Sequence, residues 1–241
     1  MVLLDWLKAR WLRILVHMGA LLPLGWLIWA YWQNLFLVDP ASEIITLTGK
    51  TALILLMLSL ACTPIRTLTG LKQVSRARQA LGLYAFLYAG LHFLTFAGPD
   101  YGFDVTLVRQ AIFGQRYVVA GFLSGSILLP LALTSTKGWQ KRLGKNWKRL
   151  HRLVYLAGVL AVVHFLWLVK DGREPLRYGV LLVILLALRL SPVRKAVSTL
   201  RRRARARRSF LFRLPHPCAT PGCAPDPRRL PGSTPCTRRS P

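Results

Sequence analysis

The sequence predicts an all-α polytopic membrane protein, a six-helix transmembrane bundle with both termini cytoplasmic. Three observations lead there. Of 241 residues, 53% are hydrophobic and the mean hydropathy is +0.38, well above a soluble domain of this size. The apolar residues are gathered into six runs, at about 11–32, 44–62, 80–98, 114–133, 150–169 and 176–190. The basic residues sit in alternate connections between those runs.

The first run, WLRILVHMGALLPLGWLIWAYW, exceeds the apolar core of a signal peptide and no small-residue cleavage site follows, so it reads as a retained span. Pro23 within it predicts a kink. Asp39 and Pro40 separate it from the second span, which Pro64 is expected to end. Gly98-Pro99 closes the third span and Pro175 opens the sixth. Five runs reach the roughly 20 residues that cross a bilayer; the sixth, LRYGVLLVILLALRL, is short and needs Arg177 and Arg189 to snorkel or the bilayer to thin. Gly82, Gly90, Gly121, Gly125 and Gly158 are expected to permit close helix contact.

Formal net charge is +26, from 34 Lys and Arg against 8 Asp and Glu. Its placement excludes nucleic acid as the expected partner. Lys8, Arg10 and Arg13 precede the first span; Arg66, Lys72, Arg76 and Arg78 lie between spans two and three. Lys137, Lys141, Arg142, Lys145, Lys148 and Arg149 lie between spans four and five, and RRRARARR occupies 201–208. All fall on one side of a six-span chain, while QNLFLVDPASE, GPDYGFDVTLVRQ and KDGREP fall on the other. That is the positive-inside pattern of a multi-pass membrane protein whose two termini are cytoplasmic. Residues 1–190 form the membrane domain. Residues 191–241 form a basic Pro/Arg-rich cytoplasmic tail, expected to be disordered, whose arginines suit anionic membrane lipid. Cys62 ends an apolar run, and Cys218, Cys223 and Cys236 in the tail do not form a disulfide framework.

The histidines carry the chemistry. His216 lies in the tail, and His17, early in span one, reads as a hydrogen-bonded packing residue. His92, His151 and His164 are intramembrane ionisable groups and therefore candidate site residues. His151 and His164 are 13 residues apart in one run, about 19–20 Å along a helix. With metal–imidazole bonds near 2 Å, one ion cannot join them. A planar cofactor at each depth can use each as an axial ligand, as haem iron does. His92, near the outer end of span three, is level with His164, so those two are paired on one haem. The partner of His151 would fall at Arg78 or Gln79, neither an ordinary haem ligand, so the inner site is incomplete. On an ideal helix, 13 residues also leave the two imidazoles roughly 140° short of a shared face.

LTGKTAL from 47, CTPIR from 62, RQALGLYAFLYAGLHF from 78 and RLGKNWKRLHRLVYLAGVLAVVHF from 142 together resemble the ferric reductase-like transmembrane domains. Within them, residues 10–190 are similar to the haem-binding membrane subunits of the bacterial periplasmic methionine sulfoxide reductase system, the MsrQ or YedZ family. The resemblance implies a b-type cytochrome carrying one or two haems, with His92, His151 and His164 as iron ligands. It implies electrons received on the cytoplasmic side, through FMN or another flavin, from a flavin reductase using NAD(P)H or from the quinone pool. The acceptor it implies is a periplasmic molybdopterin methionine sulfoxide reductase subunit, which would hold the sulfoxide chemistry. The basic start of span three and the 134–149 loop are where a flavin phosphate or a flavin reductase would be met. Two other readings stay open: a ferric or quinone reductase-type cytochrome, and a small transporter whose histidines relay protons. The near-absence of acidic residues in the spans weighs against the transporter.

Overall fold

The computed structural model describes residues 2–35, 39–70, 73–99, 101–189 and Thr199. The chain divides into two units, 1–201 and 202–241, and the second lies outside the described residues. So do the predicted domain boundary at 190/191, nearly all of the tail, its three cysteines and His216.

The described residues are helical throughout, without strands: α1 (Val2–Trp32), α2 (Pro40–Thr69), α3 (Val74–Ala97), α4 (Val105–Gly114), α5 (Arg116–Leu133), α6 (Lys137–Leu143), α7 (Lys145–Leu150), α8 (Val154–Leu168) and α9 (Arg173–Ala187). A 3-10 turn, His151–Leu153, joins α7 to α8. Among the described residues, five segments are long and apolar enough to cross a membrane: Trp11–Trp32, Pro40–Thr69, Ala77–Ala97, Arg116–Leu133 and Lys145–Leu168. Their outer faces expose large apolar side chains such as Leu15, Leu22, Leu58, Leu94 and Leu133, the surface of a protein solvated by lipid. The predicted sixth helix forms as α9, but its 15 residues span only about 22 Å, short of a hydrocarbon core of about 30 Å.

Cross-helix hydrogen bonds fix the helix directions. Ile45 meets His92 and Ser59 meets Arg78, so α2 and α3 are antiparallel. Tyr117 meets His164 and Ser124 meets Ala157, so α5 and α8 are antiparallel. His17 meets Tyr84 and Ala20 meets Tyr88, so α1 runs with α3. Lys50 meets Glu174, and Leu60 and Thr63 meet Arg189, so α9 runs with α2; Arg189 also meets Tyr155, which sets α9 against α8. Thus α1, α3 and α8 point one way and α2, α5 and α9 the other.

Three local features depart from expectation. α2 does not stop at Pro64 but continues to Thr69, where Gly70 caps it in a left-handed conformation (φ 75°) and donates to the Arg66 carbonyl. Pro64 removes the N–H that would serve the carbonyl of Leu60. The guanidinium of Arg189 serves it instead, and also binds Thr63 Oγ1 at 3.0 Å and Tyr155 Oη at 2.6 Å. Arg189 therefore turns into the bundle rather than snorkelling away from it. The third departure is α4, in a stretch the sequence reads as loop; Asp104 caps it by accepting from the N–H groups of Thr106 and Leu107.

Candidate functional site

α2 packs on α3 and α5 packs on α8, and these are the two most extensive helix pairs among the described residues. Each pair delivers one histidine. On α3, the His92 ring lies over Gly49 of α2, where an added Cβ would stand 2.9 Å from Nδ1. Its Nδ1 is 2.8 Å from the carbonyl oxygen of Ile45, one turn before that glycine. On α8, the His164 ring lies over Gly121 of α5, where a Cβ would stand 2.7 Å from Nδ1. Its Nδ1 is 2.7 Å from the carbonyl oxygen of Tyr117, again one turn before the glycine. A carbonyl can only accept, so Nδ1–H donates in both cases, and in the neutral imidazole Nε2 is then the nitrogen that carries the lone pair.

The two rings are neighbours across the gap between α3 and α8, with centres 6.0 Å apart and planes nearly perpendicular at 85°. Two imidazoles bound through Nε2 to opposite sides of one metal, each about 2 Å from it, have centres about 6 Å apart. α3 and α8 make little direct contact with each other, each packing instead on its own partner helix. Spacing, tautomer and helix separation therefore all fit a planar metal cofactor held between His92 and His164. Tying the second ring nitrogen to a carbonyl is also how metal-ligating histidines are oriented. Among the described residues, no group of three or more His, Cys, Asp or Glu is placed to hold a bare metal ion.

His151 is not part of this pair. It sits in the 3-10 turn, where its Nδ1 is 3.2 Å from the carbonyl of Trp147 and its ring stacks on the indole at 4.1 Å. That indole in turn donates to the carbonyl of Thr134 at 2.9 Å, and Gln79 donates to the adjacent carbonyl of Ser135 at 3.0 Å. Residue 79 of α3 thus lies beside the same helix end as the His151 stack, without offering an imidazole. The 3-10 turn relieves part of the angular mismatch: three residues at about 120° rather than 100° add about 60° of rotation. His17 donates to or accepts from Tyr84 Oη at 2.8 Å, the hydrogen-bonded packing role expected of it.

The two halves of the site are numerically related. Ile45 and Tyr117, Gly49 and Gly121, and His92 and His164 all differ by 72 residues. The same offset aligns Leu81 with Leu153, Ala85 with Ala157, Ala89 with Ala161, Phe93 with Phe165 and Leu94 with Leu166. Ala85 and Ala157 are both fully buried. α2–α3 and α5–α8 are therefore parallel repeats of one helical hairpin. In that register the counterpart of His151 is Gln79. Sequence reading missed Gly49 and the carbonyls of Ile45 and Tyr117; the repeat is the signal that finds them. It named Gly90 and Gly125 as close-contact positions, yet a Cβ at either would meet nothing within 4 Å.

Comparison with known proteins agrees with this arrangement. The family described as ferric reductase like transmembrane component matches residues 48–162, which include Gly49, His92, Gly121 and His151 and stop just before His164. A protein of Xanthomonas axonopodis pv. citri is 45% identical over 199 residues, 80% of this chain and 91% of its own length. One of Xanthomonas euvesicatoria pv. vesicatoria is 46% identical over 204 residues, 82% of this chain and 91% of its own. Both are named protein-methionine-sulfoxide reductase heme-binding subunit MsrQ. This chain belongs to the MsrQ family. The MsrQ relatives extend over more of the chain than the ferric reductase match does, so the likeness reaches beyond the two hairpins.

Proposed function

We propose that this protein is a b-type cytochrome subunit of the bacterial inner membrane. It would carry electrons from a cytoplasmic flavin or NAD(P)H source to a periplasmic molybdopterin protein-methionine-sulfoxide reductase. The observation that carries this reading is the His92–His164 pair, 6.0 Å apart, with both Nδ1 atoms committed to backbone carbonyls. His92 and His164 would hold one haem b, and His151 marks an inner level where a second would have a single imidazole. When bound, haem supplies a one-electron couple. The chain's own part is to present two neutral imidazoles with Nε2 free, to fix their orientation, and to seat them among apolar helices that exclude water.

The alternating helix directions support six crossings with both termini cytoplasmic. α9 runs beside the α2 stretch from Lys50 to Thr63, and its two ends are tied to that stretch by Glu174 and Arg189. The basic connections 66–78 and 137–149 then share the cytoplasmic side with the N-terminus. A flavin reductase, a bound FMN or the quinone pool would donate there. The sulfoxide chemistry belongs to the partner, consistent with the relatives being named heme-binding subunits of that reductase.

The test is a reduced-minus-oxidised visible spectrum of the purified protein, with haem counted per chain. The expected result is a b-type signal that depends on His92 and His164. Absence of haem after expression with ample haem supply overturns the reading and favours the histidine proton-relay transporter.

A further inference from the structure

The repeat that builds the His92–His164 site breaks at one place beside it. Adding 72 to Lys50, the residue after Gly49, gives Phe122, the residue after Gly121. Two seams join the hairpins: α3 meets α5 on one, and α2 meets α8 on the other, where α9 packs on both. On the α3–α5 seam the Phe122 ring is 6.1 Å from that of Phe93, which follows His92, and Phe93 is 6.3 Å from Phe96. That flank of the histidine pair is aromatic. On the α2–α8 seam Phe165 follows His164, and its ring is 6.0 Å from that of Tyr178 on α9. Here α2 supplies an ammonium in place of a ring: Lys50 Nζ meets both carboxylate oxygens of Glu174 on α9, at 2.9 and 3.0 Å.

Lys50 is the one charged residue between Glu43 and Arg66, about 10 Å inward of Glu43 along the helix. A cation at that depth is costly, and helix packing alone does not call for it, since an apolar pair of similar volume holds two helices as well. Its side chain is 37% exposed and an ammonium has three N–H donors, so Glu174 does not close it off to a further acceptor. The two flanks differ as the edges of haem b differ. One edge of that macrocycle carries only methyl and vinyl groups; another carries two propionate carboxylates. An aromatic flank suits the first and an ammonium the second.

We propose that Lys50, shared with Glu174, binds a haem propionate at the His92–His164 site. The propionate edge then faces the α2–α8 seam and the apolar edge faces Phe93 and Phe122. The haem thus has one orientation in a site whose two imidazoles are equivalent. This inference rests on the haem-binding reading above.

Full-length protein, expressed without added haem and purified in detergent, is titrated with haemin or with its dimethyl ester, which has the same iron and ring but no carboxylate charge. Read by the low-spin bis-imidazole spectrum, the wild type should bind haemin about tenfold or more tighter than the ester. Lys50→Gln/Glu174→Gln, which leaves neither charge unpaired, should keep that spectrum and lose the preference. Glu174→Gln alone frees the ammonium from a competing carboxylate and should raise the preference several-fold. Lys170→Gln, which removes a positive charge beyond the end of α8, should leave it unchanged. A lysine that only tied α9 to α2 would lower thermal stability in the first two variants without moving the preference, and that result overturns the assignment. Equal binding of the two ligands by the wild type, or an equal loss of preference in Lys170→Gln, overturns it too. No bis-imidazole spectrum with either ligand overturns the haem reading itself.

Discussion

Gly121 and His164 are fitted so closely that a Cβ on the glycine would stand 2.7 Å from the imidazole Nδ1. That contact has no room for a methyl group, and the atom it would strike is the one bound to the Tyr117 carbonyl. Gly121→Ala should therefore displace the ring, break the Nδ1 hydrogen bond and lose the cofactor signal of the His92–His164 site. Overpacking of this kind costs about 1–3 kcal/mol in stability as well. Gly49→Ala, with its Cβ 2.9 Å from the His92 ring, should act in the same direction. Gly90→Ala meets nothing within 4 Å and should leave the spectrum unchanged. Absorbance spectra and thermal unfolding of the three variants check this order.

The histidines themselves should separate into a pair and a single. His92→Ala and His164→Ala each remove one side of the same site, so each should abolish the same spectral component. His151→Ala should leave that component in place, because the His151 ring bonds and stacks on Trp147 and touches neither partner of the pair. Haem content and reduced spectra of the three variants measure it. A loss of equal size in all three would mean that one site needs every imidazole.

Much of this was legible in the sequence, for identifiable reasons. Apolar run length and Lys/Arg placement are properties of the chain as a string, so the helices appear in it directly. The levelling of His92 with His164 needs only rise per residue and helix direction. What could not be read is whatever depends on the neighbouring helix. Pro64 looks like a stop until Arg189 is found serving the Leu60 carbonyl that the proline leaves without an amide donor. The α4 stretch looks like a loop because its ten residues are too few to cross a bilayer and its cap, Asp104, is a common turn residue. The glycines that matter are those beneath an imidazole, and among many glycines only the 72-residue repeat distinguishes Gly49.

Arg189 ties α9 to the bundle, and its removal should cost more than one hydrogen bond. Arg189→Met leaves the Leu60 carbonyl, already without an amide donor because of Pro64, unpaired. It also removes the bonds to Thr63 and Tyr155 and the stacking of the guanidinium 5.0 Å over the Tyr155 ring. An unpaired buried carbonyl costs about 1–3 kcal/mol. Tyr155→Phe, which removes one bond and keeps the ring, should cost about 1 kcal/mol. Thermal unfolding in detergent should rank the two variants in that order.

The repeat makes its sharpest statement at position 79. In the α5–α8 hairpin the inner imidazole is His151; in the α2–α3 hairpin the same position holds Gln79. The outer level is symmetric because Ile45, Gly49 and His92 are matched by Tyr117, Gly121 and His164. The inner level is asymmetric through one side chain. Gln79 donates to the Ser135 carbonyl, next to the Thr134 carbonyl that holds Trp147 against His151, so residue 79 already reaches the right helix end. Gln79→His should therefore supply the missing imidazole, and an imidazole N–H can replace the amide donor to Ser135. The variant is expected to gain a second low-spin bis-imidazole signal, visible in the reduced spectrum and by electron paramagnetic resonance, and Gln79→His/His151→Ala should lose that gain. An unchanged spectrum in Gln79→His would show that the two hairpins, equivalent at the outer level, are not superposable at the inner one.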